Sequence, residues 1–180
     1  MGVTYPVHPD DVTALLKIRR YLIGFRITNG WTQMELSRRI NGSGGMVYDL
    51  ESNMTWGWRL RRIQDWCSAF DLRLEATLRI GTTIDQKVHA DPEVAALYLM
   101  SRSGEHDAWK GFQSAYLTSG LRAARQAKHI PASVMGARMG CTASAIRNWE
   151  RDANHIMLPK AMHYARILGG HVELGLKEMK

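Results

Sequence analysis

The sequence predicts a mainly α-helical protein made of two tandem modules, each built around a tight turn between two short helices and each ending in one β-strand. Three observations carry this. The stretch 140–151, GCTASAIRNWER, is echoed without a gap ninety-nine positions earlier by 41–52, NGSGGMVYDLES. The same offset matches Leu22 and Arg26 with Leu121 and Arg125, Leu36 with Met135, Ser37 with Gly136, Arg39 with Arg138 and Ile40 with Met139, so a unit is repeated rather than a motif. Downstream, each copy passes through an amphipathic helix into an alternating apolar segment, LRLEATLRI at 72–80 and VELGLK at 172–177.

A chain of 180 residues has room for two such units. Each is close to the smallest size that holds a hydrophobic core, which favours contact between them. The expected division is a first module over 1–80, a linker with a short helix over 81–106 and a second module over 107–180. The net charge of +7 is spread over both, which reads as attraction to phosphate. Two cysteines form no disulfide framework, and no apolar run is long enough to span a membrane. The expectation is a cytoplasmic protein with no membrane partner and no export signal.

Residues 1–9, with two prolines and no Arg or Lys, read as an irregular arm. Asp10 or Asp11 can cap the first helix, on which Leu15, Ile18, Leu22 and Phe25 recur at helical spacing. Asn29-Gly30 ends it. Thr32 and Glu35 have the spacing of a capping box, predicting a short helix to Ile40, and Asn41-Gly42 turns the chain into a second short helix that Ser43 caps and Glu51 closes. A fourth helix is expected over 55–70, with Trp56, Leu60, Ile63, Cys67 and Phe70 as its buried stripe. A strand over 72–80 follows.

The stretch 81–90, GTTIDQKVHA, is the expected boundary. Pro92 opens a helix carrying Val94, Leu97, Tyr98 and Met100, which Gly104 ends. The second module then repeats the plan with helices over 107–128, 131–139, 142–151 and 159–168 and a strand over 172–177. Trp31, Trp56, Trp58, Trp66 and Trp109 are expected in the core or between modules rather than stacking on bases. Cys67 and Cys141 are expected inside the helical modules.

Two short helices at a tight turn suit DNA because the first braces on the backbone while the N-terminal, outward side chains of the second meet base edges in the major groove. Ser37 and Gly136 supply the small residue where the helices cross. Asn41-Gly42 and Gly140 supply the turns, and Val47, Leu50, Ile146 and Trp149 the apolar anchors. The residues Arg26, Thr32, Gln33, Leu36, Ser37, Ser43, Val47 and Glu51, and in the second copy Arg125, Gly140, Thr142, Ile146, Trp149 and Glu150, resemble the Cro-type phage-repressor helix-turn-helix, or XRE, family. The resemblance implies two lambda-repressor-like modules and a temperate-phage immunity repressor that binds double-stranded DNA.

Carried over residue by residue, the resemblance makes Arg26–Glu51 and Arg125–Glu150 structural ion pairs. Gln33 becomes a phosphate contact that also braces the reading helix; Pro131-Ala132 departs from the pattern there. The implied base-reading positions are Ser43, Gly44, Gly45, Met46, Tyr48 and Asp49 in the first module and Thr142, Ala143, Ser144, Ala145, Arg147 and Asn148 in the second. Arg suits guanine, Asn suits adenine, and Thr or Ala suits a thymine methyl, so the second module is expected to be the stronger reader. Gly44 and Gly45, if inside a helix, each cost about 1 kcal/mol. Arg38, Arg39 and Arg138 are candidate phosphate contacts; Arg59, Arg61 and Arg62 are weaker ones.

Unlike heads predict an asymmetric site read by a monomer or weak homodimer, with the terminal strands pairing across a local twofold. An alternative is an antitoxin-like interaction module with autoregulatory DNA binding; another is a first module that only packs. The histidines and cysteines form no CxxC or HxxxH arrangement, so a zinc site on Cys141, His155 and His163 is not expected. Neither a nucleophile elbow nor a glycine-rich phosphate loop is present. No cofactor, metal or enzymatic activity is predicted.

Overall fold

The computed structural model describes residues 7–52, 58–152 and 157–179. Those residues form ten helices and one two-stranded antiparallel sheet, a mainly helical architecture. No helix among them is long and apolar enough to cross a membrane.

Helix α1, Pro9–Thr28, buries Leu15, Ile18 and Leu22. Its cap is His8, whose Nδ1 accepts the Asp10 N–H at 3.3 Å, and not Asp10 or Asp11 as the sequence suggested. Pro9 has no N–H to donate and a preset φ, so the helix starts two or three residues earlier than the aspartates imply. Asp11 is thereby freed for another partner, described below. Phe25, expected in the buried stripe, is exposed and tilts against Phe70.

Helix α2, Gln33–Arg39, begins with the predicted capping box: Thr32 Oγ accepts the Glu35 N–H at 3.1 Å, and Glu35 accepts the Thr32 N–H at 2.6 Å. Helix α3 spans Met46–Ser52. The long fourth helix expected over 55–70 is α4, Leu60–Ser68; Trp56 lies outside the described residues. Arg59 is extended before it, and the Trp58 indole donates to Leu50 O at 3.0 Å. Strand β1, Leu72–Arg79, turns Leu72, Leu74, Ala76 and Leu78 inward.

The expected boundary at 81–90 is a helix, α5, Thr82–His89. Together with α6, Pro92–Ser101, it packs on α7, His106–Ala127, and Val88 and Val94 are buried there. The linker is thus a pair of helices joined to the core; short helices gain stability from packing more than from propensity, a signal local spacing does not carry. Met100, grouped with the apolar set of α6, is exposed. The rear half continues with α8, Ala132–Met139, α9, Ala143–Trp149, α10, Leu158–Ile167, and β2, His171–Glu178.

The two strands pair, Glu75 lying opposite Gly175. Inward positions Leu72 and Leu74 answer to Val172 and Leu174 at an offset of one hundred, one more than in the turn regions, so Glu75 faces its own counterpart. Arg59 and Met157, the N-caps of α4 and α10, are also bridged antiparallel. Two pairings that set equivalent positions face to face are what a local twofold relation requires.

Each first helix then leans on the opposite half. Buried Asp11 on α1 holds Arg166 on α10 at 2.7 Å, and Lys110 on α7 holds Asp65 on α4 at 2.6 Å. Positions 11 and 110 are equivalent in the repeat but carry opposite charges. Helix α7 also satisfies the outer edge of β1. The Trp109 indole donates to Leu74 O at 2.9 Å, Ala76 N–H to Gln113 Oε1 at 2.8 Å and Leu78 N–H to the Tyr116 hydroxyl at 3.3 Å. Side chains so placed blunt a strand edge that would otherwise be open to pairing.

Candidate nucleic-acid interface

In the rear half α8 and α9 cross at Gly136. A Cβ there would lie 2.7 Å from Cys141 O and 3.0 Å from the Thr142 carbonyl carbon, so only glycine lets the backbones approach this closely. Gly140 ends α8 in the left-handed region, φ 65°, and the Cys141 N–H returns to Gly136 O at 2.8 Å. In the front half Ser37 stands at the crossing, fully buried, its hydroxyl accepting the Val47 N–H at 3.3 Å. The Gly42 N–H returns to Ser37 O at 2.7 Å. Both halves close the turn with the same backbone hydrogen bond, one with the backbones in close contact at a glycine and one with a serine hydroxyl at the crossing.

A brace then fixes each second helix. Arg26 Nε and Nη2 donate to Glu51 at 2.6 and 3.0 Å, and Nη1 to Trp31 O at 2.8 Å. Arg125 donates from the same three nitrogens to Glu150 at 2.6 and 2.8 Å and to Ile130 O at 2.7 Å. These are forked, charge-assisted pairs with little solvent access, and they tie the end of one helix to the end of another. The ion pairs expected from the sequence are present in both halves.

The two braces are completed differently. Gln33 Nε2 donates to Glu51 Oε2 at 2.6 Å, so it does brace α3. Its counterpart is Ala132, and in the rear half the Tyr164 hydroxyl on α10 donates to Glu150 Oε1 at 2.5 Å instead. Burial, then the Glu150 carboxylate, pushes this phenol well above the usual tyrosine range, which keeps it a donor. Tyr164 was missed in the sequence because it lies one helix away in a spacing indistinguishable from a core stripe.

The outward positions differ more. Thr142, Ser144, Arg147 and Asn148 are exposed on α9, while Ala143 and Ala145 are half-buried. The Thr142 hydroxyl caps α9 by accepting the Ala145 N–H at 3.1 Å. A shallow hollow lined by Ala145, Asn148, Trp149, Arg151 and Asp152 borders them. Arg138 is exposed at the end of α8.

In the front half Ser43, Gly44, Gly45, Tyr48 and Asp49 are exposed, but Met46 is buried and leaves the reading set. Its side chain folds back over Gly42, where its Cε would sit 2.1 Å from any Cβ. A long apolar side chain at the start of a short helix gains more by covering the turn than by facing water. Gly44 and Gly45 precede α3 instead of lying inside it, so the helix-interior cost expected of them does not arise. Arg38 and Arg39 are exposed, and the Arg39 guanidinium lies 4.1 Å from the centre of the Trp31 ring, which stacks on Phe70.

The tryptophans expected inside are buried at 58, 66 and 109. Burial raises both thiols, Cys67 most, and holds them protonated; Cys141 is only half-buried. Among the described residues no three His, Cys, Asp or Glu side chains are grouped to hold a metal, and His155 lies outside those residues. No family model, curated protein or solved structure matches this chain.

Proposed function

We propose that this chain binds double-stranded DNA sequence-specifically through two tandem, unlike helix-turn-helix heads and acts as a transcriptional repressor in the manner of phage immunity repressors. The observation that carries the reading is the same three-point arginine brace in both halves, Arg26 on Glu51 and Trp31, Arg125 on Glu150 and Ile130. Each brace fixes a short helix whose outer positions are polar and exposed. Fixed helix ends are what groove reading needs, since a base contact depends on placing a side chain to within a fraction of an ångström.

In this reading α9 enters the major groove. Arg147 donates to guanine O6 and N7, Asn148 pairs with adenine, and Thr142 and Ala143 lie against a thymine methyl. Arg38, Arg39 and Arg138 hold phosphates and set the register without reading sequence. The front head offers Ser43, Tyr48 and Asp49 beside the bare backbone of Gly44 and Gly45. An exposed carboxylate at Asp49 repels phosphate but can accept from cytosine N4. The two heads therefore favour different half-sites and an asymmetric operator.

Selection of bound sequences from random duplex DNA tests this directly: a non-palindromic consensus with two unlike halves is expected. If about 6–10 phosphates are contacted, affinity falls about 10³–10⁵-fold between 50 and 200 mM salt. No enrichment over random duplex, or binding that ignores salt, rejects the reading.

A further inference from the structure

We propose that the outer face of α1 on one copy receives α6 of a second copy, so that chains associate head to tail. In the rear half α5 and α6 cover one face of α7, where Phe112 meets Tyr98, Tyr116 meets His89 and a Cβ on Gly120 would meet Val88, while Trp109 at the start of the same stripe is buried against β1. The counterparts of these residues on α1 are Asp10, Thr13, Lys17 and Tyr21, and all four are exposed. An open groove runs along this face, lined by Leu16, Lys17, Arg20, Tyr21, Gly24 and Phe25 among others. The front half thus presents bare the helix face that the rear half covers with a helix pair.

The groove has an apolar floor and a basic rim. Tyr21 is 54% exposed and Phe25 39%, while Lys17 and Arg20 have no ion-pair partner among the described residues. A Cβ on Gly24 would meet nothing, so a helix can approach closely there. The matching surface is on the same chain. The outer stripe of α6 runs through Glu93, Ala96, Leu99 and Met100, with Leu99 65% and Met100 61% exposed and Glu93 without an ion-pair partner among the described residues.

Laid parallel, the two helices set Glu93 beside Lys17 and Met100 against Gly24 and Phe25, because seven residues separate both pairs. Exposed apolar stripes of this kind mark contact sites, and a helix laid in an apolar groove is a common way to use them. The two faces are different surfaces, so the contact is heterologous and need not close at a dimer. On the proposed DNA it would line successive copies along the duplex, yet it depends on no DNA contact and is tested without DNA.

The test is sedimentation of the full chain at rising concentration, alone and as the variants Tyr21→Glu and Leu99→Glu, each of which alters an exposed side chain; circular dichroism checks the fold. The wild-type coefficient is expected to rise past that of a dimer, and each variant alone to stay monomeric. Mixed in equal amounts the variants should form a 1:1 dimer that grows no further, since Leu99→Glu keeps its α1 face and Tyr21→Glu keeps its α6 face. A wild-type chain that stays monomeric to the order of hundreds of micromolar leaves the groove to a different protein and overturns the proposal. So does a plateau at the dimer, or a mixture that stays monomeric.

Discussion

The front and rear halves share one framework and differ in almost everything attached to it. The arginine brace is reproduced atom for atom, Arg26 and Arg125 each forking onto a glutamate and reaching back to a backbone carbonyl. Around it the front half uses Gln33, a capping box and a buried serine. The rear half uses Tyr164, an uncapped helix start at Pro131 and a glycine. The comparison teaches that the turn between two short helices is held by the charged pair and a close crossing, while the groups that complete the pair can be exchanged.

The most severe way to break the comparison is to remove the shared element. Arg125→Ala and Arg26→Ala each leave a buried carboxylate without its cation, and each is expected to cost about 3–5 kcal/mol in urea unfolding. Losses near zero for either would mean that Tyr164 or Gln33 suffices to hold the glutamate. Next comes the crossing. Gly136→Ala drives a Cβ into the Cys141 and Thr142 backbone and should cost about 1–3 kcal/mol. Ser37→Ala in the other half loses one hydrogen bond to a buried N–H and should cost no more than about 1–3 kcal/mol. Alanine accepted without loss at either position would show that its turn is not held by the contact described.

The proposed reading surfaces can be compared by DNA affinity. Arg147→Ala is expected to weaken binding to the selected duplex by about 1–3 kcal/mol and to relax preference at one base. Tyr48→Ala should change it less. An equal loss on selected and random duplexes would make Arg147 a phosphate contact.

The smallest effect is with pH. The Thr32 backbone N–H, then its hydroxyl, holds the Glu35 carboxyl below the usual glutamate range. A carboxyl depressed in the folded state contributes stability above its unfolded value and loses it as pH falls through the folded value. Amide protection factors at the start of α2, taken relative to intrinsic exchange at each pH, should therefore fall on acidification through that range, while those of α8, whose start carries no side-chain cap, stay unchanged. Parallel behaviour of both helices would remove this distinction.

Much of the framework was legible before any coordinates. The capping box, Gly140 in the left-handed turn and Gly136 at the crossing follow from residue type and spacing, because each depends on groups a few residues apart or on the repeat itself, whereas both arginine pairs were implied only by the resemblance. Met46 was misread because helical spacing says which way a side chain leaves the axis and not whether the turn beneath has room for it. The helix within 81–90 was not expected for a related reason: a polar eight-residue helix is stable only against the surface that covers it, here α7.

By itself the sequence determined a repeated helical unit, its turns, the capping box of α2 and a strand to end each unit, since hydrogen-bond capacity, backbone freedom and apolar period are local properties. Only the tertiary structure decided that the strands meet with Glu75 opposite Gly175, that Asp11 and Lys110 reach across to Arg166 and Asp65, that Tyr164 stands in for Gln33, and that α5 and α6 cover α7 while α1 stays bare. Each of these joins residues distant in sequence, and their pairing is set by shape and burial when the halves pack, which no local pattern encodes.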